Sequence, residues 1–187
     1  MKYYVFYDTN VLYDCDEVYD ICKDEYRELL KTCFKYSSYF SFMIAGEGYK
    51  NILKNLPAEL DKYSIEFDEN FDNVYRRYSL WTKEICCYIA CPETYNLLLS
   101  ISDSIFKWKT DRMYDRNPED LTFFRKDGSV FMNSVAHEGE CSIYPRPEEN
   151  ITSILSKGNW YIRSTEDSPM TLGGQPYSPN TGDGSMS

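Results

Sequence analysis

The stretch PEDLTFFRKDGSVFMNSVAHEGECSIYP, residues 118–145, decides the fold. LTFFR and SVFMNSV are runs of strand-favouring residues, with Lys126-Asp127-Gly128 between them. Asp-Gly supplies the positive backbone dihedrals of a tight hairpin turn, so the two runs are expected to pair antiparallel. CSIYPR continues as a third strand and is stopped by Pro145 and Pro147, which cannot donate to a sheet ladder. The same stretch holds the chain's one histidine, His137, with Glu138 beside it and Glu140 two further on. It therefore poses the functional question too: a metal or acid–base site, or a structural signature around a hairpin.

Outward from the hairpin, strand and helix patterns alternate. PETYNLLLSISDSIFKW carries Pro92 at a first helical turn, and Tyr95, Leu98, Leu99, Ser102, Ile105 and Phe106 recur along it at helical spacing. VYRRYSLW and KEICCYIAC read as strands, and GYKNILKNLPAEL as a helix ended or kinked by Pro57. Gly46 and Gly48 around Glu47 mark a turn or a helix start. KYYVFYDTNVLYD predicts the first strand, and SFMIA a short one. Between them Tyr19, Cys22, Tyr26, Leu29, Leu30 and Cys33 predict a helix. KYSIEF reads as a strand inside an acidic loop.

SFMIAGEGYKNILKNLPAEL and CYIACPETYNLLLSISDSIF share the order strand, turn, Leu-rich helix, as a duplicated unit would. PEENITSILSKGNW predicts a last short helix with Gly158 at its end. From Ser164 onward the chain is too poor in apolar residues to pack. The expected fold class is α+β: a mostly antiparallel sheet with helices packed on one face. A single domain over residues 1–163, with any division into two lobes near 73–90, precedes a flexible, disordered tail over 164–187.

With 187 residues, 42% hydrophobic and 17% aromatic, the chain can bury an ordinary core. Its 18 tyrosines also supply rigid contact area with a polar end. The formal charge is −10, and residues 1–72 hold 15 acids against 8 bases. Such a balance repels phosphate backbones and attracts basic proteins, so the expected partner is a basic protein and not nucleic acid. No run of about 18 apolar residues is present, so no membrane partner is expected. YYVFYDTN turns polar too soon for a secretory signal, which points to a cytoplasmic location. There the seven cysteines, at 15, 22, 33, 86, 87, 91 and 141, are expected as reduced thiols acting as small hydrophobes. Cys86, Cys87 and Cys91 lack the second pair that a zinc site needs, and no cofactor is expected.

Two constellations could carry chemistry. Asp8 ends the first strand, Glu47 opens a following helix and Asp103 lies further on. This order resembles the PIN-domain nucleases, and the resemblance implies these carboxylates gathered around Mg²⁺ or Mn²⁺ for phosphodiester hydrolysis. Asp103 departs from that pattern, lacking the small-residue helix and following strand, and the hairpin occupies the place of the family's late acidic loop. As a strand end, Asp8-Thr9-Asn10 is accounted for by side chains that bond the local backbone. His137 and Glu138 are the second constellation. A catalytic histidine needs an orienting partner and a nucleophile or metal, so the expectation here is structural: an imidazole that closes the hairpin edge.

The run from Leu97 to Tyr144, with NPEDLTFFR and DGSVFMNSVAHEGEC, carries another resemblance. It resembles a group of small bacterial proteins associated with immunity against polymorphic or contact-dependent toxins. The resemblance spans about the C-terminal half and implies a cytosolic, non-enzymatic protein that binds and neutralises a cognate toxin. The acidic segment 59–72 offers the contact residues: Tyr63, Glu66, Asp68, Glu69, Phe71 and Asp72. Aromatic anchors beside carboxylates suit an Arg- and Lys-rich partner. The alternatives are a metal-dependent PIN-like ribonuclease and a phage or mobile-element inhibitor of a host protein.

Overall fold

A computed structural model of the chain describes residues 2–7, 20–44, 56–66, 71, 84–106, 118–164 and 175–176. Among these residues the strands are β1 Lys2–Tyr7, β2 Tyr39–Ile44, β3 Ser64–Ile65, β4 Glu84–Ile89 and β5 Pro118–Phe124. Then follow β6 Val130–Val135, β7 Glu140–Ile143, β8 Trp160–Ser164 and β9 Gln175–Pro176. They form one sheet in the order β3-β4-β2-β5-β6-β7-β1-β8-β9, every neighbouring pair antiparallel. Among the described residues three α-helices accompany it: α1 Lys23–Tyr36, α2 Pro92–Ile101 and α3 Thr152–Leu155. The fold is α+β, as expected, with helices against one face of an antiparallel sheet.

The hairpin forms at the predicted place but with a different turn. Arg125 C=O accepts from Gly128 N–H at 3.0 Å, and Arg125 N–H donates to Ser129 C=O at 2.8 Å. Gly128 has φ +83°, whereas Asp127 is not among the left-handed residues, so the loop is three residues closed by a left-handed glycine. A register shift after Phe123 absorbs the extra residue. Asp127 contributes through its carboxylate, which accepts from Ser129 N–H at 3.1 Å and Ser129 O–H at 2.7 Å.

Helix α1 buries the predicted stripe of Tyr26, Leu29, Leu30 and Cys33. It starts later than its periodicity suggests, because Cys22 is extended and bridges Ser104. Helix α2 begins at Pro92 as predicted and stops at Ile101. Ser102, Ile105 and Phe106 therefore lie beyond it, contrary to the periodic reading. The Ser102 hydroxyl bonds both N–H and C=O of Ser104, at 3.0 and 2.7 Å, a local alternative to continuing the helix. The last helix is short and ends before Gly158, and Trp160 starts β8. Gly158, at φ +77°, makes the turn between them.

In antiparallel pairs, opposed residues share a face. Phe40 with Tyr88 and Phe123, and Phe6 with Cys141 and Trp160, mark the helix-covered face. That core also takes Tyr26, Leu29, Leu30, Leu98, Ile154 and Leu155 from all three helices. It draws on chain from both sides of residues 73–90. Of the helix predicted over GYKNILKNLPAEL, residues 48–55 lie outside the described residues and Ala58–Tyr63 forms a 3-10 turn after Pro57. The strand VYRRYSLW and most of the predicted tail also lie outside the described residues, while Gln175 and Pro176 pair with Ile162 and Tyr161.

Candidate functional site

The residues singled out from sequence divide by place. Asp8, Glu47, Asp68, Glu69 and Asp72 lie outside the described residues. Asp103 is exposed, and its backbone C=O accepts from Lys23 N–H at 2.7 Å. Phe71 corrects its assignment as a contact anchor: it is 7% exposed and stacks on Phe124 with ring centroids 4.9 Å apart. Its ring also meets Tyr39 at 5.3 Å, so it seals the second sheet face.

His137 and exposed Glu138 belong to a 3-10 turn, Ala136–Glu138, between β6 and β7. Left-handed Gly139 ends that turn. What ties it to the sheet is Asp120, whose Oδ1 accepts from Ala136 N–H at 2.9 Å. Asp120 is buried at φ +51°, in the bulge of β5 between the Ser41 and Met43 pairings. An Asp inside a strand pattern was the available sequence signal, because Asp disfavours strands and tolerates the left-handed region. Among the described residues, no group of three or more His, Cys, Asp or Glu is placed to hold a metal ion.

At the β3 edge, Tyr63 and Ile89 each lie one residue past the paired Ser64 and Tyr88, at the same end of the ladder. Ile89 is 42% exposed, the one exposed large hydrophobic side chain among the described residues. Its carbonyl accepts from the Thr94 hydroxyl at 2.9 Å, and that oxygen accepts from Cys91 N–H at 3.0 Å. The first turn of α2 is thereby fixed against β4, with exposed Glu93 at its surface. Tyr63 is half-buried, and partial desolvation, then the Glu93 carboxylate, hold its hydroxyl above the ordinary range. Exposed Glu59 and Asp61 on the 3-10 turn Ala58–Tyr63, with Glu66 just past β3, add acids to the same edge.

The second sheet face carries a feature that the sequence reading missed. Ser41, Thr122, Asn133 and Ser142 stand in one row across β2, β5, β6 and β7. Ser41, Thr122 and Ser142 are buried, where a covered sheet face is ordinarily apolar. Asn133 Oδ1 is buried without a hydrogen-bond partner among the described residues. The Ser142 hydroxyl donates to Glu140 Oε1 at 3.1 Å. Alongside, Arg163 lies 5.2 Å from the Tyr7 ring, and burial, then Glu140, pushes the Tyr7 phenol up to about 12. A polar residue set between apolar ones, in FSF, LTF and CSI, was the readable trace of this row.

Neither a protein-family model, a curated protein nor a solved structure matches the chain.

Proposed function

We propose that the chain is a non-enzymatic binding protein that engages a basic protein partner through the β3 edge, and that it serves as an immunity protein for a toxin. The supporting observation is the exposed Ile89 at the end of the ladder where Tyr63 lies, with Glu93 acting on Tyr63 and the exposed acids Glu59, Asp61 and Glu66 on the segment of chain that forms this edge. An apolar centre with a charged rim is the usual anatomy of a protein interface. The net charge of −10 speeds encounter with a cationic partner and disfavours acidic competitors.

The test is binding of the purified chain to a basic toxin encoded beside it, by calorimetry at two salt concentrations. Affinity is expected to fall with salt, and to fall at least tenfold in Glu59→Lys/Asp61→Lys/Glu66→Lys. Ile89→Asp should weaken capture through the dissociation rate. Mn²⁺-dependent RNA cleavage by the chain, lost in Asp8→Ala, would replace this reading with the nuclease.

A further inference from the structure

A groove of about 470 Å³, open to solvent, runs between the end of α1 and the β5–β6 turn, lined in part by Lys35, Ser37, Lys126 and Arg146. Its lining holds four cations, Lys35, Arg125, Lys126 and Arg146, against the carboxylates of Asp127 and Glu149, which leaves +2. The chain as a whole is at −10, so this is a local reversal of sign. The carbonyl end of α1 removes about half a charge, leaving about +1.5.

The donors are unevenly committed. Arg125 Nε donates to Glu149 Oε1 at 2.7 Å, and Nη2 to Glu149 Oε2 and Tyr144 C=O, both at 2.6 Å. Its Nη1 donates to Val130 C=O at 2.6 Å and Ser129 Oγ at 3.3 Å, so all five of its N–H groups are engaged and it forms the floor. Arg146 engages Nη2 with Asp127 and Ser129, while its Nε and Nη1 have no partner among the described residues. Lys126 is exposed and has no ion pair among the described residues. Lys35 Nζ lies over the Tyr36 ring at 4.7 Å. Ser37 is 9% exposed, and its buried Oγ has no hydrogen-bond partner among the described residues. A buried hydroxyl left unmatched is unfavourable, and an incoming acceptor would satisfy it.

We propose that this groove binds a doubly charged oxyanion of the phosphate class, with Lys35, Lys126 and Arg146 supplying charge and Ser37 donating to one oxygen. A phosphoryl group carries about −1.5 to −2 at neutral pH, which matches the local charge. Exposed Glu148, next along the chain from Pro147, lies outside the lining. The site uses none of the acidic-edge residues, so it stands or falls separately from the protein-binding reading.

The experiment titrates the ¹⁵N-labelled full chain with inorganic phosphate and, in a second arm, with O-phosphoserine, at ionic strength matched with chloride. Saturable amide shifts confined to Ser37, Ser38, Lys126 and their neighbours are expected. Lys126→Glu and Lys35→Glu should each weaken binding at least tenfold, Lys126→Gln less, and Ser37→Ala a few-fold. Tenfold tighter phosphoserine assigns a phosphorylated side chain, and equal affinities assign the free anion. Shifts that fail to saturate in both arms would overturn the proposal. So would shifts spread equally over Lys23, Lys31 and Lys62, or unchanged affinity in a folded Lys35→Glu/Lys126→Glu chain.

Discussion

Replacing Glu149 by Gln should remove a large fraction of the stability of this fold. Arg125 and Glu149 are joined by two parallel hydrogen bonds, and their side chains are 7% and 6% exposed. Glu149 Oε2 also accepts from Arg146 N–H at 2.7 Å, so the carboxylate is saturated as well. Gln keeps the shape but turns an N–H₂ group toward the guanidinium and leaves its charge buried without a counter-charge. Removing one partner of such a pair costs about 3–5 kcal/mol. With a urea m-value of about 2 kcal/mol/M, the midpoint falls by about 1.5–2.5 M.

The cycle of Glu149→Gln, Arg125→Gln and the double variant should show coupling of about 2 kcal/mol or more. Burial alone would raise the Glu149 pKa, but the bonds from Arg125 and Arg146 bring it below the ordinary carboxylate range. With the folded value below the unfolded one, the stabilisation is present above the unfolded pKa of about 4.3. It is lost as pH falls through the folded value. The wild-type chain should therefore lose stability across that acidic window more steeply than Glu149→Gln. A penalty under about 1 kcal/mol, or parallel pH profiles, would refute the reasoning.

Other outcomes follow from single sites. Phe71→Ala, which removes the ring stacked on Phe124, should cost about 3 kcal/mol in urea unfolding, whereas a surface anchor would cost almost nothing. Gly158→Ala should cost about 1–2 kcal/mol, because Gly158 has φ +77° and a new Cβ would lie 3.4 Å from Phe6 Cε2; an unchanged midpoint would contradict the left-handed turn. Burial pushes the Cys87 thiol up to about 12 and raises Cys33 and Cys141, whereas Cys22 and Cys91 are half-exposed at helix starts. Alkylation of the native chain followed by mass spectrometry should modify Cys91 before Cys87, and the reverse order would count against the assigned burial.

Local signals made much of the architecture legible. Pro92 announces α2, the Tyr26–Leu29–Leu30–Cys33 stripe announces the buried side of α1, and Asp127-Gly128 announces the hairpin. Where local and tertiary preferences compete, the reading slipped. Apolar spacing continues through Ser102 to Phe106, but serine hydroxyls and the bridge to Cys22 hold that segment extended. Trp160 follows a helical run, yet its partner Phe6 is over 150 residues away in sequence, and no local pattern encodes that pairing. The site was partly legible. Tyr63 and Glu66 flank the edge strand β3, whereas Ile89 reads from sequence simply as part of a buried strand and is exposed in the structure. Arg125 and Glu149 look like ordinary surface charges until the turn of the chain brings them together.

The position of β1 between β7 and β8 has a consequence for biosynthesis. KYYVFY, synthesised before the other strands described, finds its hydrogen-bonding neighbours in residues 140–164. About 130 intervening residues at about 5–20 residues per second keep both its borders unmatched for about 7–26 seconds. Throughout that interval a nascent hexapeptide of high β-propensity carries one charge, Lys2. Vectorial synthesis thus leaves β1 exposed to pairing with other chains until β7 and β8 emerge, a segment that a holdase would shield.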